Sequence, residues 1–329
     1  MQHNYAKPAW MKNVKREVRC AGFELEFAGL DLQSAAAAVA KALQGEVIRD
    51  TQAECKVKHP EFGHFKIELD WSFAKNMARK RLEEQGANED AVLALMTDLA
   101  RQIVPLEVVC PPIPVNRLSV LNDMVTKLRE AGALGTSDSL IYAFGVHINA
   151  ELPDLNSQTI VPYLQAYCVS QHWLMKAHRI DTLRRLTPYI DMYPKRYVEL
   201  VMAYTADTPL SQIIDDYLEF NPTRNRGMDL LPLFKQIDEA RVLAVVSDER
   251  VNARPTFHYR LPNCEIEKPG WTLTDSWNIW CVVEHLAADP VTLRSMCEQW
   301  IEYNQNLINL KEEPWQHELA HIHENLLSV

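Results

Sequence analysis

The chain has 329 residues, 47% hydrophobic and 24% charged, with a formal net charge of −10 from 34 Lys and Arg against 44 Asp and Glu. That is ordinary globular usage with material for a sizeable core, and without a basic run to track a phosphate backbone, nucleic acid is not expected as a partner. The opening MQHNYAKPAWMKNVKREVRC has no apolar stretch of signal-peptide length, no segment approaches the roughly 18 apolar residues of a membrane span, and the seven cysteines stand singly without a CxxC pair, so the expectation is a soluble, cytoplasmic protein with reduced thiols and no membrane partner.

No repeat, low-complexity tract or Gly/Ser linker divides the sequence, which predicts one domain over residues 1–329 with a helical insertion at about 155–240. The segment from Glu17 to Gly29 reads as a strand, and the alanine-rich run from Leu32 to Leu43, stopped by Gly45, as a helix. Two short strands around CKVKHPEFGHFKIELD meet at a turn containing Pro60 and Gly63. A helix is predicted from Glu89 to Arg101, then the strand PLEVVC ended by Pro111 and Pro112, then a helix from Val115 to Ala131. After the strand LIYAFGVHINAEL the chain reads as mostly helical from Ser157 to Phe220. A late strand, ARPTFHYRL, precedes three C-terminal helices at about 275–325.

Alternate side chains of a strand point to opposite faces, so each strand can be asked what it presents on each. In GFELEF, Glu24 and Glu26 oppose Phe23, Leu25 and Phe27; in HFKIELDW, Lys66, Glu68 and Asp70 oppose Phe65, Ile67, Leu69 and Trp71. In FGVHINA, His147 and Asn149 oppose Val146 and Ile148, and in TFHYRL, His258 and Arg260 oppose Phe257, Tyr259 and Leu261. For any one strand this is what a half-solvated strand shows. Two features point further. The polar residues are carboxylates, imidazoles and an arginine in place of the usual Thr, Ser and Lys, and Glu107 interrupts the apolar PLEVVC, where an uncompensated carboxylate is costly. Carboxylates and imidazoles converging from several strands suit Mg²⁺ or Mn²⁺, and an arginine beside them suits a transferring phosphoryl group.

These segments resemble the amidoligases and glutamate-cysteine ligases of the glutamine-synthetase-like carboxylate-amine ligase superfamily. GFELEF resembles their paired-glutamate strand, KIELDWSFA their D-x-S strand, LEVVCPP their ELVSPP segment, FGVHINA their G-x-H-V-H strand, RNRGMDLL their R-Y-x-x-L-N segment and TFHYR their T-(I/V)-E-F-R strand, in the same order over residues 20–285. Cys110 stands where serine is usual, Asn149 where the second histidine is, Asp229 where the asparagine is and His258 where the glutamate is. The resemblance implies an α+β fold with a curved, mainly antiparallel sheet of the glutamine synthetase catalytic type. It implies ATP-dependent amide formation through an acyl phosphate, with two divalent ions, Mg²⁺ or Mn²⁺. Glu26, Glu107 and Asp70 would serve the metal near the substrate carboxylate, Glu24, His147 and His258 the one near the ATP phosphates, and Arg260 the transferring group, with Asn149, Arg224 and Arg226 binding substrate or nucleotide. The substrates would be a small-molecule or peptide carboxylate and an amine, with a glutamine-amidotransferase-like protein as a partner. No G-x-S-x-G elbow or P-loop lysine motif competes with this.

HELAH at His317–His321 does compete, since H-E-x-x-H puts two histidines one helical turn apart with a glutamate placed to act on zinc-bound water, as in a metallopeptidase. The segment PWQHELAHIHENLL is polar around most of its circumference, so a solvated helix is the expectation. A degenerate, non-catalytic family member acting as a binding partner is the third reading. His172 and His178 are read as core and surface, and Arg184 and Arg185 as solvent-facing. Arg224 and Arg226, in a loop with Asn225 and Gly227, could grip a phosphate or carboxylate.

Overall fold

A computed structural model describes residues 4–69, 105–136, 144–180, 190–305 and 313–328. Among these residues the fold is mixed α+β, a nine-stranded open sheet packed with helices. The strands are β1 (Cys20–Phe27), β2 (Glu46–Arg49), β3 (Glu54–His59), β4 (Gly63–Leu69), β5 (Leu106–Val109), β6 (Ile113–Pro114), β7 (Val146–Ala150), β8 (Met228–Asp229) and β9 (His258–Tyr259). Their order is β2-β3-β4-β5-β1-β7-β9-β8, with β6 added to β1, and every ladder is antiparallel.

Alternation decides which face is covered. Phe23, Leu25 and Phe27 of β1, Phe65 and Ile67 of β4, Leu106 and Val108 of β5, Val146 and Ile148 of β7 and Tyr259 of β9 are all fully buried on one side. Against them lies the helix Leu273–Ala288, whose Trp277 meets Phe23 at 6.2 Å and whose Trp280 meets Tyr259 at 5.0 Å between ring centroids. Holding that face on helices leaves the other face of β1, β5, β7 and β9 for the polar residues.

The helix Leu32–Leu43 forms where its alanines predict, started by Asp31, whose carboxylate accepts from Ser34 N at 2.7 Å. Its left-handed stop, however, is Gln44 (φ 51°), and Gly45 serves another need: a Cβ there would lie 2.7 Å from Val57 Cγ1 and 2.8 Å from Lys58 O. The predicted hairpin forms as β3 and β4. β1 starts at Cys20, three residues later than predicted. The helix predicted from Val115 starts at Val120, because Ile113 and Pro114 first pair with Ala21 and Cys20, and Val115 N still bonds Arg19 O at 2.9 Å.

The late strand is cut to His258–Tyr259 with isolated bridges at Thr256 and Asn263, as expected when Pro255 and Pro262 bring no N–H to the ladder. The stretch read as mostly helical gives Ser157–Ala177, Lys195–Ala203 and Leu210–Phe220, and three helices, Leu273–Ala288, Pro290–Gln305 and Gln316–Leu327, follow β9. The predicted helix from Glu89 to Arg101, and with it Asp70, Arg184 and Arg185, lies outside the described residues.

Candidate active site

β1 runs through the middle of the sheet, and register brings its two glutamates to their neighbours. Glu26 sits opposite Glu107 of β5, and Glu24 opposite His147 and Gly22 opposite Asn149 of β7. Ile148 pairs with Tyr259, which sets His147 and Asn149 beside Arg260 and His258 on the polar face, and His258 pairs in turn with Asp229 of β8. Side chains from five strands therefore converge on one patch.

Glu24 is the hub. Its Oε2 meets His147 Nδ1 at 2.8 Å and faces His258 Nε2 at 3.7 Å, while its Oε1 accepts from Asn149 Nδ2 at 2.8 Å and Arg254 Nη1 at 3.3 Å. Burial alone would raise its carboxyl, but the hydrogen bond from His147 leads the contacts that hold it well below the usual carboxylate range. His147 is pulled down to about 3 by burial first and then by the Arg260 charge, against the pull of Glu24. A neutral His147 beside an ionised Glu24 must put its proton on Nδ1, since a carboxylate only accepts. The Nε2 lone pair then lies 3.6 Å from Glu26 Oε1, whose partner oxygen accepts from Gly145 N at 2.8 Å.

Two overlapping groups have ligand atoms within 4.8 Å of one another: Glu24, His147 and His258, and Glu26, Glu107 and His147. Carboxylate oxygens and imidazole nitrogens are the donor set of Mg²⁺, Mn²⁺ and Zn²⁺. The residues fit such an ion on a second count. Asn149 Oδ1, Asp229 Oδ2 and both ring nitrogens of His258 are buried with no hydrogen-bond partner among the described residues, which is costly unless something else satisfies them.

Residues 17–282 match the family described as "Putative amidoligase enzyme". The chain belongs to this amidoligase family. No curated protein matches it.

The amidoligase match covers all the strands that build the patch. Of the residues singled out in the sequence, Glu24, Glu26, Glu107, His147, Asn149, His258 and Arg260 share its face, while Asp70 lies outside the described residues. Arg224 lies near enough to Arg260 for that charge, after burial, to push its own pKa down. Arg226 is engaged elsewhere: its guanidinium donates to Met192 O at 3.0 Å and Phe220 O at 3.2 Å, clamping the loop. Arg254 was not singled out, and Asp229 was noted only as a departure within RNRGMDLL, not as a site residue. Arg254 reaches Glu24, and the signal was present, because 254, 256, 258 and 260 alternate on one side of ARPTFHYRL. Asp229 occupies a strand of two residues, too short to show alternation.

In the HELAH segment His317, Glu318 and His321 are exposed on the helix Gln316–Leu327, and none belongs to a metal-capable group among the described residues. His172 is exposed and pairs with Glu313 at 2.6 Å, and His178 is buried with Nε2 2.6 Å from the Tyr259 hydroxyl. All seven cysteines are free thiols, and no described helix is long and apolar enough to cross a membrane.

Proposed function

We propose that this amidoligase is an ATP-dependent carboxylate–amine ligase on a glutamine-synthetase-type sheet. The observation that carries the reading is the convergence of Glu24, Glu26, Glu107, His147 and His258 into two overlapping ligand groups beside Arg260. ATP would transfer its terminal phosphoryl group to a substrate carboxylate, giving ADP and an acyl phosphate. A neutral amine would then attack the acyl carbon, and its proton would leave with phosphate as the amide forms. Glu26 and Glu107, joined by Asp70, would hold one divalent ion on the acid side, and Glu24, His147 and His258 a second on the nucleotide side. When bound, Mg²⁺ or Mn²⁺ ions supply charge neutralisation between the phosphate and carboxylate oxygens.

The protein's own residues have separate tasks. Arg260 places a fixed positive charge where the transferred group develops negative charge, with Arg224 and Arg254 adding to the field. Asn149 and His147 hold the Glu24 carboxylate in one orientation, so the anionic centre is formed before substrate arrives. His258 brings a neutral nitrogen, which weakens Mg²⁺ more than Mn²⁺. The substrates would be a small or peptide carboxylate and an amine, in a reducing cytoplasm that suits seven free thiols, and a glutamine-amidotransferase-like partner would act on the same amide.

The test is phosphate release with ATP, each metal in turn, and a panel of acids and amines. Turnover that requires both an acid and an amine and runs faster with Mn²⁺ supports the reading. Nucleotide that neither binds nor turns over in the presence of either metal would remove it. In an active enzyme, His258→Glu is expected to shift the metal ratio toward Mg²⁺; an unchanged ratio would place that side chain off the metal.

A further inference from the structure

Asp229 and His258 lie directly opposite each other in the β8–β9 pair and are 0% and 1% exposed. One oxygen of Asp229 is committed: Oδ1 accepts from Leu231 N at 2.9 Å, at the start of the helix Leu231–Ile237, which fixes how the carboxylate is turned. Its other oxygen, Oδ2, has no hydrogen-bond partner among the described residues and lies 3.5 Å from His258 Nδ1, which also has none. A small rotation of either side chain closes that gap to a hydrogen bond. A carboxylate only accepts, so the contact is favourable only if the imidazole proton sits on Nδ1.

That placement has a consequence at the other end of the ring. With the proton on Nδ1, Nε2 carries a lone pair and points at Glu24 Oε2, 3.7 Å away. Two electron-rich atoms face each other across a gap in a buried site, an arrangement that a cation between them would relieve. Metal-ligating histidines commonly hold their second nitrogen on a carboxylate, which fixes tautomer and ring angle. In the resemblance read from the sequence, Asp229 and His258 are two of the departures, and the fold makes them neighbours.

We propose that Asp229 is a positioning residue that fixes His258 in its Nδ1–H tautomer, so that Nε2 is presented to the cation shared with Glu24. The proposal rests on the reading of that group as a cation site, but the tautomer can be observed without any metal. It also predicts what a near-isosteric change does. In Asp229→Asn the Leu231 N–H keeps the amide oxygen at the Oδ1 place, so the NH₂ group faces His258 Nδ1. A donor there requires an acceptor, which drives the ring proton to Nε2 and blocks the lone pair.

The experiment uses full-length protein labelled with ¹⁵N-histidine. Two-bond ¹H–¹⁵N spectra of the metal-free wild type are expected to show His258, assigned by its loss in His258→Gln, protonated on Nδ1, and Asp229→Asn is expected to show it protonated on Nε2. Mn²⁺ affinity by titration calorimetry should fall about 10–100-fold in Asp229→Asn. The same substitution made on top of His258→Glu should cost little further affinity, because the intermediary is gone. A wild-type His258 protonated on Nε2 overturns the proposal without any variant. So does an equal loss of affinity in both backgrounds, and a wild type that binds no Mn²⁺ overturns it together with the cation reading. If affinity follows the tautomer while no acid and amine are ever joined, the ligase reading fails and this one stands.

Discussion

The Arg19–Glu284 pair and the Glu24–His147–His258 group are both buried, both charged and both attached to β1, and they are built in opposite ways. Beneath the sheet, Glu284 accepts from Arg19 Nη1 and Nη2 at 2.9 and 2.8 Å, from the Tyr163 hydroxyl at 2.5 Å and from Trp280 Nε1 at 3.1 Å. Arg19 also donates from Nε to Glu151 O and from Nη1 to Trp10 O, both at 2.7 Å. Charge cancels there, no polar side-chain atom of the pair is left without a partner, and the cluster ties the entry of β1 to the helix Leu273–Ala288. On the other face three glutamates gather, and an imidazole and an aspartate keep buried atoms without hydrogen-bond partners among the described residues. A buried network that satisfies itself holds a fold together; one that gathers several carboxylates and leaves buried polar atoms open is arranged for something that binds.

If that contrast is right, substitutions on the two faces should fail in opposite assays. Glu26→Gln and Glu107→Gln each remove one negative charge with nearly the same shape, and each is expected to lower ATP-dependent amide formation by about 1,000-fold or more. The melting temperature should hold or rise, because two like charges face each other across β1 and β5. Wild-type turnover in both variants would take them out of the site and remove most of the ligase case. In the satisfied cluster the reverse holds. Glu284→Gln strands the buried Arg19 guanidinium and should cost about 3–5 kcal/mol of stability by denaturant titration, with Mn²⁺ affinity unchanged in the protein that remains folded.

In metal-free protein the polar face also makes stability depend on pH. His147 is held down to about 3, so between there and its ordinary value near 6.5 the unfolded chain binds a proton that the folded chain refuses. The unfolded state binds more protons in that window, so stability rises with pH across it and is lost as pH falls from about 6.5 toward 3. Glu24, also depressed, adds loss of the same sign below the usual carboxylate range. Replacing His147 by Gln should make the slope shallower by about one proton, roughly 1.4 kcal/mol per pH unit. An unchanged slope would mean that His147 titrates as an ordinary histidine.

What could be read beforehand follows from what alternation encodes. A period of two says which residues share a face, so GFELEF and FGVHINA gave Glu24, Glu26, His147 and Asn149 their common side. It does not say which strand lies next door, and the pairing of Glu26 with Glu107 needed the register of β1 and β5. Arg254 lay inside the predicted strand ARPTFHYRL and on the face of His258 and Arg260, but it was not singled out there, and Pro255 cuts the observed ladder to His258–Tyr259. Asp229 sits in a strand of two residues, so alternation is silent there and only the resemblance of RNRGMDLL drew attention to it. Helix boundaries slipped where tertiary pairing overrode local preference, as at Val115, which bonds Arg19 before the helix begins.

The smallest effect is expected where the sequence offered the most familiar motif. His317 and His321 of HELAH lie on the helix Gln316–Leu327, which packs on the rest of the molecule through Leu319, Ile322 and Leu326, while both histidines and Glu318 face solvent. A zinc ligand would need its nitrogen aimed at other donors. His321 Nε2 instead meets Asn325 Nδ2 at 3.2 Å, one turn along the same helix, as an ordinary surface contact does. Nothing buried depends on either imidazole, and alanine is the better helix former. His317→Ala with His321→Ala should therefore change stability by no more than about 0.5 kcal/mol in either direction and leave both metal content and ligase turnover at wild-type values. Elemental analysis of the purified double variant beside the wild type decides it. Loss of one stoichiometric zinc would show that spacing along a helix had outweighed the burial and convergence that mark the β-sheet cluster as the functional one.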